Sequence, residues 1–322
     1  MKYRQLGRQG LRVSEIALGS WMTDVSDQAK QDLAAQTIRL AYENGVNYFD
    51  CADVYSNGAA ERFLGNVIQE FPRKELVLSS KVFFPTGKGP NDRGLSRKHI
   101  MESIDATLKN MQTDYLDLYF THRFDPETPL AETLQALSDL VDQGKILYYG
   151  VSEWTPVQIL KAQLIIQERG LHPIAVLQPE YNMFDRYIEQ ESMDVCGELG
   201  IGIVPFSPLA QGLLTGKYRK DQPVPAGSRA TTHPRLMADE LTAANLDKVE
   251  ALIKMADALG TDLATFALAW ALRDPRISSL ITGASKPAQL QNNLKAIDLE
   301  IPKEYYPQVD KLFGFEKFVR EI

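Results

Sequence analysis

Cysteine is nearly absent, with only Cys51 and Cys196 in 322 residues. Two cysteines supply neither a disulfide framework nor a spaced metal set, so a reducing, cytoplasmic setting is expected. The four histidines, His99, His122, His172 and His233, show no ligand spacing with each other or with cysteine, so no metal is expected. No apolar run is long enough to span a bilayer. The first ten residues, Met-Lys-Tyr-Arg-Gln-Leu-Gly-Arg-Gln-Gly, lack the apolar core of a signal peptide, so no membrane partner is expected. Positive charge is also short. Against 42 Asp and Glu stand 35 Lys and Arg, and the net charge of −7 argues against nucleic acid as a partner. A Gly-rich dinucleotide turn is missing too: after the first strand-like run the chain reads Gly19-Ser-Trp-Met-Thr.

What the chain does have is ordinary globular composition, 44% hydrophobic and 24% charged, enough for a large core. Gly7 and Gly10 punctuate residues 2–14, which predicts a small hairpin. Short runs of Val, Ile, Leu, Tyr and Phe then predict strands near 15–18, 46–50, 76–80, 115–120, 146–151, 174–178, 202–206 and 278–282. Continuous apolar runs are expected of parallel strands buried on both faces. Helical spacing fills the intervals at 28–44, 59–69, 97–111, 129–143, 186–199, 243–259, 262–272 and 287–295, and Thr155-Pro-Val-Gln158 reads as a capping box opening another helix.

Eight βα units predict an α/β fold, a (β/α)8 TIM barrel with an N-terminal β-hairpin and long rim loops, as one domain over 1–322. A doubly wound sheet is the alternative. The long loops are 83–96 and 207–242, and the tail 302–322 alternates aromatic and charged residues as if packed back on the body.

Polar groups end three consecutive strands. Asp50 ends the second, with Tyr55 five residues on; Lys81 ends the third; His122 ends the fourth. Each alone has an ordinary structural reading. Working residues of such barrels sit at these strand ends, and neighbouring strands would bring the four together. A free phenol titrates near pH ~10, and a close ammonium lowers that value and makes a better proton donor. Asp50 would hold the lysine, and His122 would orient a carbonyl oxygen.

These segments carry a resemblance. Gly45–Tyr55, the Lys81 strand and Met111–His122 resemble the aldo-keto reductases. So do Gly150-Val-Ser-Glu-Trp154, Gln178-Pro-Glu-Tyr-Asn182, Pro205–Gly212 and Gly283–Gln289. Asp125-Pro-Glu-Thr-Pro129, Asn182-Met-Phe-Asp185 and Leu213–Tyr218 are most similar to the branch of potassium-channel β subunits and their bacterial relatives.

The resemblance implies NADPH-dependent reduction of a small-molecule carbonyl substrate, with Tyr55 as general acid, Asp50 and Lys81 tuning it and His122 positioning the carbonyl. The channel subunits carry Asn at the position of His122, which favours an enzyme here. The other reading is a regulatory subunit that senses the nicotinamide redox state with slow turnover, and a metal-dependent sugar isomerase is a third. Members of this branch include monomers and larger assemblies, so a homo-oligomer stays open.

For the cofactor, NADP(H), the resemblance implies Ser152 and Gln178 on the carboxamide and Phe206 stacked on the nicotinamide. Ser20, Trp21 and Asp50 would lie near its reactive end. Ser207, Pro208, Leu209, Ala210 and Gln211 would follow its length, Lys217 and Arg229 its phosphates. Gly283, Ser285, Gln289, Asn292 and Asn293 would hold the adenosine end. Glu153 stands where the family often has Asn or Arg, so that contact is left open. Residues 211–235 carry Lys217, Arg219, Lys220, Arg229 and Arg235 against Asp221 alone, which suits pyrophosphate and a 2′-phosphate.

Overall fold

The expected hairpin forms from β1 (Tyr3–Gln5) and β2 (Arg12–Ser14), paired antiparallel. The structure is a computed structural model that describes residues 1–21 and 25–318. Eight parallel strands follow among the described residues. They are β3 (Ile16–Gly19), β4 (Tyr48–Asp50), β5 (Val77–Val82), β6 (Leu116–Thr121), β7 (Ile146–Ser152), β8 (Val176–Gln178), β9 (Gly202–Ile203) and β10 (Leu280–Thr282). Their order is β10-β3-β4-β5-β6-β7-β8-β9. The two ends meet. Ser278 N–H donates to the Ile203 carbonyl at 2.8 Å and Ile281 N–H to the Pro205 carbonyl at 2.9 Å. That closure makes the (β/α)8 barrel and sets aside a doubly wound sheet.

The helices are α1 (Gln28–Glu43), α2 (Ala59–Ile68), α3 (Arg97–Met111), α4 (Leu130–Asp142), α5 (Pro156–Arg169) and α6 (Ser192–Leu199). Beyond them come α7 (Arg229–Thr232), α8 (Pro234–Met237), α9 (Ala243–Ala258), α10 (Leu263–Ala271), α11 (Pro287–Leu294) and α12 (Tyr305–Phe313). Local chemistry sets several starts. Thr155 and Gln158 form the expected capping box with Pro156 at the first helical position. Asp27, Ser96, Thr242 and Asp262 cap α1, α3, α9 and α10 through their side chains.

Two apolar layers hold the barrel. One lies between strands and helices; the other fills the lumen with Ala17, Tyr48, Val77, Leu118, Phe120, Val176, Val204 and Ile281, sealed from the hairpin by Leu6 and Val13. Gly150 matters here. A Cβ there would lie 2.5 Å from both Phe120 and Val176, so its absence lets the Phe120 ring fill the lumen. The hairpin plugs the end where strands begin: Arg8 N–H donates to Gly200 O at 2.9 Å, just before β9. The other rim is left open to loops.

Two expectations differ in detail. The strand at 202–206 pairs regularly with β8 over two residues only, because Pro179 has no N–H to carry that ladder on and Pro205 has none to offer β10. The helix at 186–199 is broken into a 3-10 turn, Tyr187–Glu189, and α6. Its first residue, Arg186, is held by Glu189 and Asp310 and lies over the rings of Trp270 and Phe315. The tail packs back as expected through α12 as far as Phe318, whose N–H donates to Gln190 at 2.9 Å; residues 319–322 of that expectation lie outside the described residues.

Candidate active site

β4 and β5 run in register Asp50↔Ser79, which sets Lys81 one pleat beyond Ser79 on the same inward face. Lys81 is fully buried, and its Nζ donates to Asp50 Oδ2 at 2.5 Å and to the Cys51 carbonyl at 2.6 Å. The other Asp50 oxygen, Oδ1, accepts from Ser79 Oγ at 2.6 Å and from Gln178 Nε2 at 3.2 Å. Both oxygens of the buried carboxylate thus accept from donors, which a buried ion pair requires. Outward-facing Ser80 instead bonds Glu61 on α2, at 2.7 Å.

Tyr55 follows β4 on a tight turn. Ser56, Asn57 and Gly58 all have positive φ, at 49°, 51° and 78°. This left-handed run turns the chain from the strand into α2 and leaves the phenol over the barrel mouth. Lys81 Nζ lies 5.1 Å from the Tyr55 ring centroid, and the His122 ring meets Tyr55 edge-on at 5.8 Å. All four strand-end residues therefore converge.

Their electrostatics are unequal. Burial works most strongly against charge on Lys81, but Asp50 with Tyr55 and Cys51 together outweigh it and its pKa is raised. His122 is 8% exposed; burial first, then Lys81 and Arg123, push its pKa down to about 2, so the imidazole is neutral. For Tyr55 the expectation needs correction. Lys81 does favour the phenolate, but burial is the larger effect and the pKa is raised overall. The phenol consequently keeps its proton at neutral pH.

A cavity of about 1340 Å³ opens above these residues. Its walls include Trp21, Asp50, Tyr55, His122, Ser152, Gln178, Phe206, Ser207, Pro208, Leu209 and Gln211. They continue through Lys217, Arg229, Gly283, Ser285, Gln289, Asn292 and Asn293. Three expected residues are not on that wall. Ser20 is buried and its N–H bonds the Asp50 carbonyl at 2.8 Å; Ala210 is buried and borders a neighbouring cavity; Lys81 lies beneath the floor.

The rim loop 207–242 needs a second correction. Arg219 and Lys220 pair with Glu250 and Asp247 of α9, at 2.6 Å each, so they do not add to the charge facing the cavity. Lys217 and Arg229 do face it. Arg229 donates to Gln211 and lies 4.8 Å over the Trp21 ring. Glu153 turns aside: its Oε1 accepts from Glu180 N–H at 2.6 Å and lies 3.3 Å from the Tyr187 hydroxyl.

Buried polar atoms of Ser152 (Oγ), Ser228 (Oγ) and Asn293 (Nδ2) have no protein partner among the described residues, and all three residues line the cavity. Such atoms call for a polar ligand. They come from three separate elements, the end of β7, the residue before α7, and α11, which suits a molecule with several polar groups.

Val54, Phe84, Arg123, Ser228 and Asp262 also line the cavity. The sequence carried a signal for Arg123 in its place next to His122, and for Phe84 in its long loop. Val54 and Asp262 had none. No group of three His, Cys, Asp or Glu side chains among the described residues is arranged to hold a metal. No described helix is long and apolar enough to cross a membrane.

Comparison with known proteins agrees with this geometry. The chain is 42% identical over 304 residues to a probable voltage-gated potassium channel subunit beta of Arabidopsis thaliana, covering 93% of this chain and 92% of that one. It is 41% identical over 317 residues to a protein of the same name from Oryza sativa subsp. japonica, covering 97% and 95%. A putative voltage-gated potassium channel subunit beta of Schizosaccharomyces pombe is 37% identical over 323 residues, covering 97% and 93%. The model of the Aldo/keto reductase family matches residues 15–313, and the chain belongs to that family of oxidoreductases.

Proposed function

We propose that the protein reduces aldehydes or ketones to alcohols with NADPH, Tyr55 supplying the proton. The observation that carries this reading is the buried Lys81–Asp50 pair beneath the Tyr55 ring, beside a neutral His122, on the floor of the cavity. Its family uses nicotinamide dinucleotides in general. A bound NADPH would supply hydride to the carbonyl carbon.

The chain's own residues do the rest. Neutral His122 has an N–H to offer a carbonyl oxygen and so fixes where that oxygen lies. Tyr55, protonated at neutral pH, hands its proton to the same oxygen. Lys81 then stabilises the phenolate left behind, and Asp50 keeps the ammonium in place. Burial of the pair keeps water away and makes these interactions stronger than they would be in solvent. In this reading Ser152 and Gln178 would hold a carboxamide, Phe206 would stack on a ring, and Lys217 with Arg229 would meet phosphates, the 2′-phosphate included.

A second reading comes from the relatives' names. A protein of this sequence could serve as a nicotinamide-binding subunit of a channel or other partner, with turnover too slow to matter. Steady-state oxidation of NADPH with small aromatic aldehydes separates the two. Sustained turnover above about 1 s⁻¹, within the ordinary enzymatic range, supports the reductase. A single slow turnover supports the subunit.

A further inference from the structure

Arg123 is the next residue after His122 and lines the same cavity wall. Its guanidinium is half-buried, and Nη1 donates to the His122 carbonyl at 2.6 Å. It lies 5.6 Å from the centroid of Phe84, whose ring in turn meets His122 edge-on at 4.9 Å. Among the described residues no carboxylate forms an ion pair with Arg123, and no second hydrogen bond holds it. Four of its five N–H donors therefore remain for a ligand.

That state is uncommon for a half-buried cation. Arginines packed elsewhere in this body are matched by carboxylates: Arg186 by Glu189 and Asp310, Arg73 by Asp117, Arg4 by Glu15. Four acidic residues share the cavity wall; Asp50 is paired with Lys81 and Asp262 caps α10, which leaves Glu153 and Glu180. One oxygen of Glu153, Oε1, is taken by the Glu180 N–H and the Tyr187 hydroxyl. Burial first, then Asp185 and Glu153, raise the Glu180 carboxyl to about 7 although Arg123 acts to lower it, so Glu180 is only partly an anion at neutral pH.

We infer that Arg123 is a specificity residue that receives a carboxylate on the carbonyl substrate, held in the planar fork of its guanidinium on the side of the reacting carbon where His122 lies. The inference rests on the reductase reading above and adds a substrate class to it: oxo-acids and aldehyde acids in preference to neutral carbonyl compounds. Arg123 forms and breaks no bond. The carbonyl carbon still takes hydride and its oxygen still takes the Tyr55 proton.

The test compares 4-carboxybenzaldehyde with its neutral methyl ester, methyl 4-formylbenzoate, using NADPH. The readout is the ratio of the two kcat/KM values, in which any general damage to the enzyme cancels. In the native protein the ratio should favour the carboxylate. In Arg123→Leu it should collapse about 10- to 100-fold, the size of a charge-assisted hydrogen bond. Arg123→Gln should give the same collapse if leucine is not tolerated, while Arg123→Lys should retain an intermediate ratio. A ratio within about threefold of native in the leucine or glutamine variant overturns the inference and leaves the reductase reading standing. No turnover of either aldehyde by the native protein sinks the reductase reading and this inference together.

Discussion

Replacing His122 by Asn should alter the pH dependence of stability in a calculable way. In the folded protein burial, Lys81 and Arg123 depress the His122 pKa to about 2; in the unfolded chain it titrates near 6.5. Between those values the unfolded chain binds a proton that the folded one does not. The native protein is therefore penalised progressively as pH falls below about 6.5, and the penalty is absent above it. The slope is about 1.4 kcal/mol per pH unit, so the cost reaches about 3 kcal/mol at pH 4. Asn cannot titrate and removes this slope. Urea unfolding of both proteins from pH 4 to 8 measures it. The stability difference between native and His122→Asn should be constant from pH 7 to 8 and shift by about 3 kcal/mol in favour of the variant by pH 4. Parallel curves across the range would refute the claim that the imidazole is held neutral. The same logic predicts no limb near pH 6.5 in the kcat/KM profile of the native protein.

Lys81→Met should destabilise the fold by about 3–5 kcal/mol, since it strands Asp50 inside the barrel, and should cut turnover at least about 100-fold. Thermal unfolding unchanged from native would contradict the buried pair. Asp53→Asn should do the opposite at neutral pH. Both Asp53 carboxylate oxygens are buried without partners, and burial, then Glu61, raise its pKa to about 8. A folded value above the unfolded one means stability is lost as pH rises from about 4 to about 8, so the variant should gain a few kcal/mol at pH 8 and nothing at pH 4. An equal gain at both pH values would contradict this. Lys217→Ala combined with Arg229→Ala should raise the NADPH dissociation constant about 10- to 100-fold and that of NADH less, read by fluorescence titration. Equal losses would remove the 2′-phosphate from the account.

Much of this was legible in the sequence because the fold repeats one unit. Each βα pair carries its own period change, and the barrel rule then places Asp50, Lys81 and His122 on one rim. What was not legible depends on partners distant in the chain. The broken helix at 186–199 holds neither Pro nor Gly at the break; Arg186 is drawn instead to Asp310, 124 residues away. Counting charges in the loop 211–235 could not show that Arg219 and Lys220 are matched by α9. The direction of the Tyr55 shift turned on burial outweighing a neighbouring ammonium, and only packing decides that balance. The sequence left the contact of Glu153 open; its carboxylate is turned to the Glu180 amide.

Single-turnover oxidation of NADPH by an aromatic aldehyde, followed by stopped flow in native protein and Tyr55→Phe, tests the central claim most directly. The account predicts a rate constant lowered by about 10²–10⁴-fold in the variant, while NADPH still quenches its fluorescence with near-native affinity. A variant that transfers hydride as fast as the native protein would show that Tyr55 is not the proton donor.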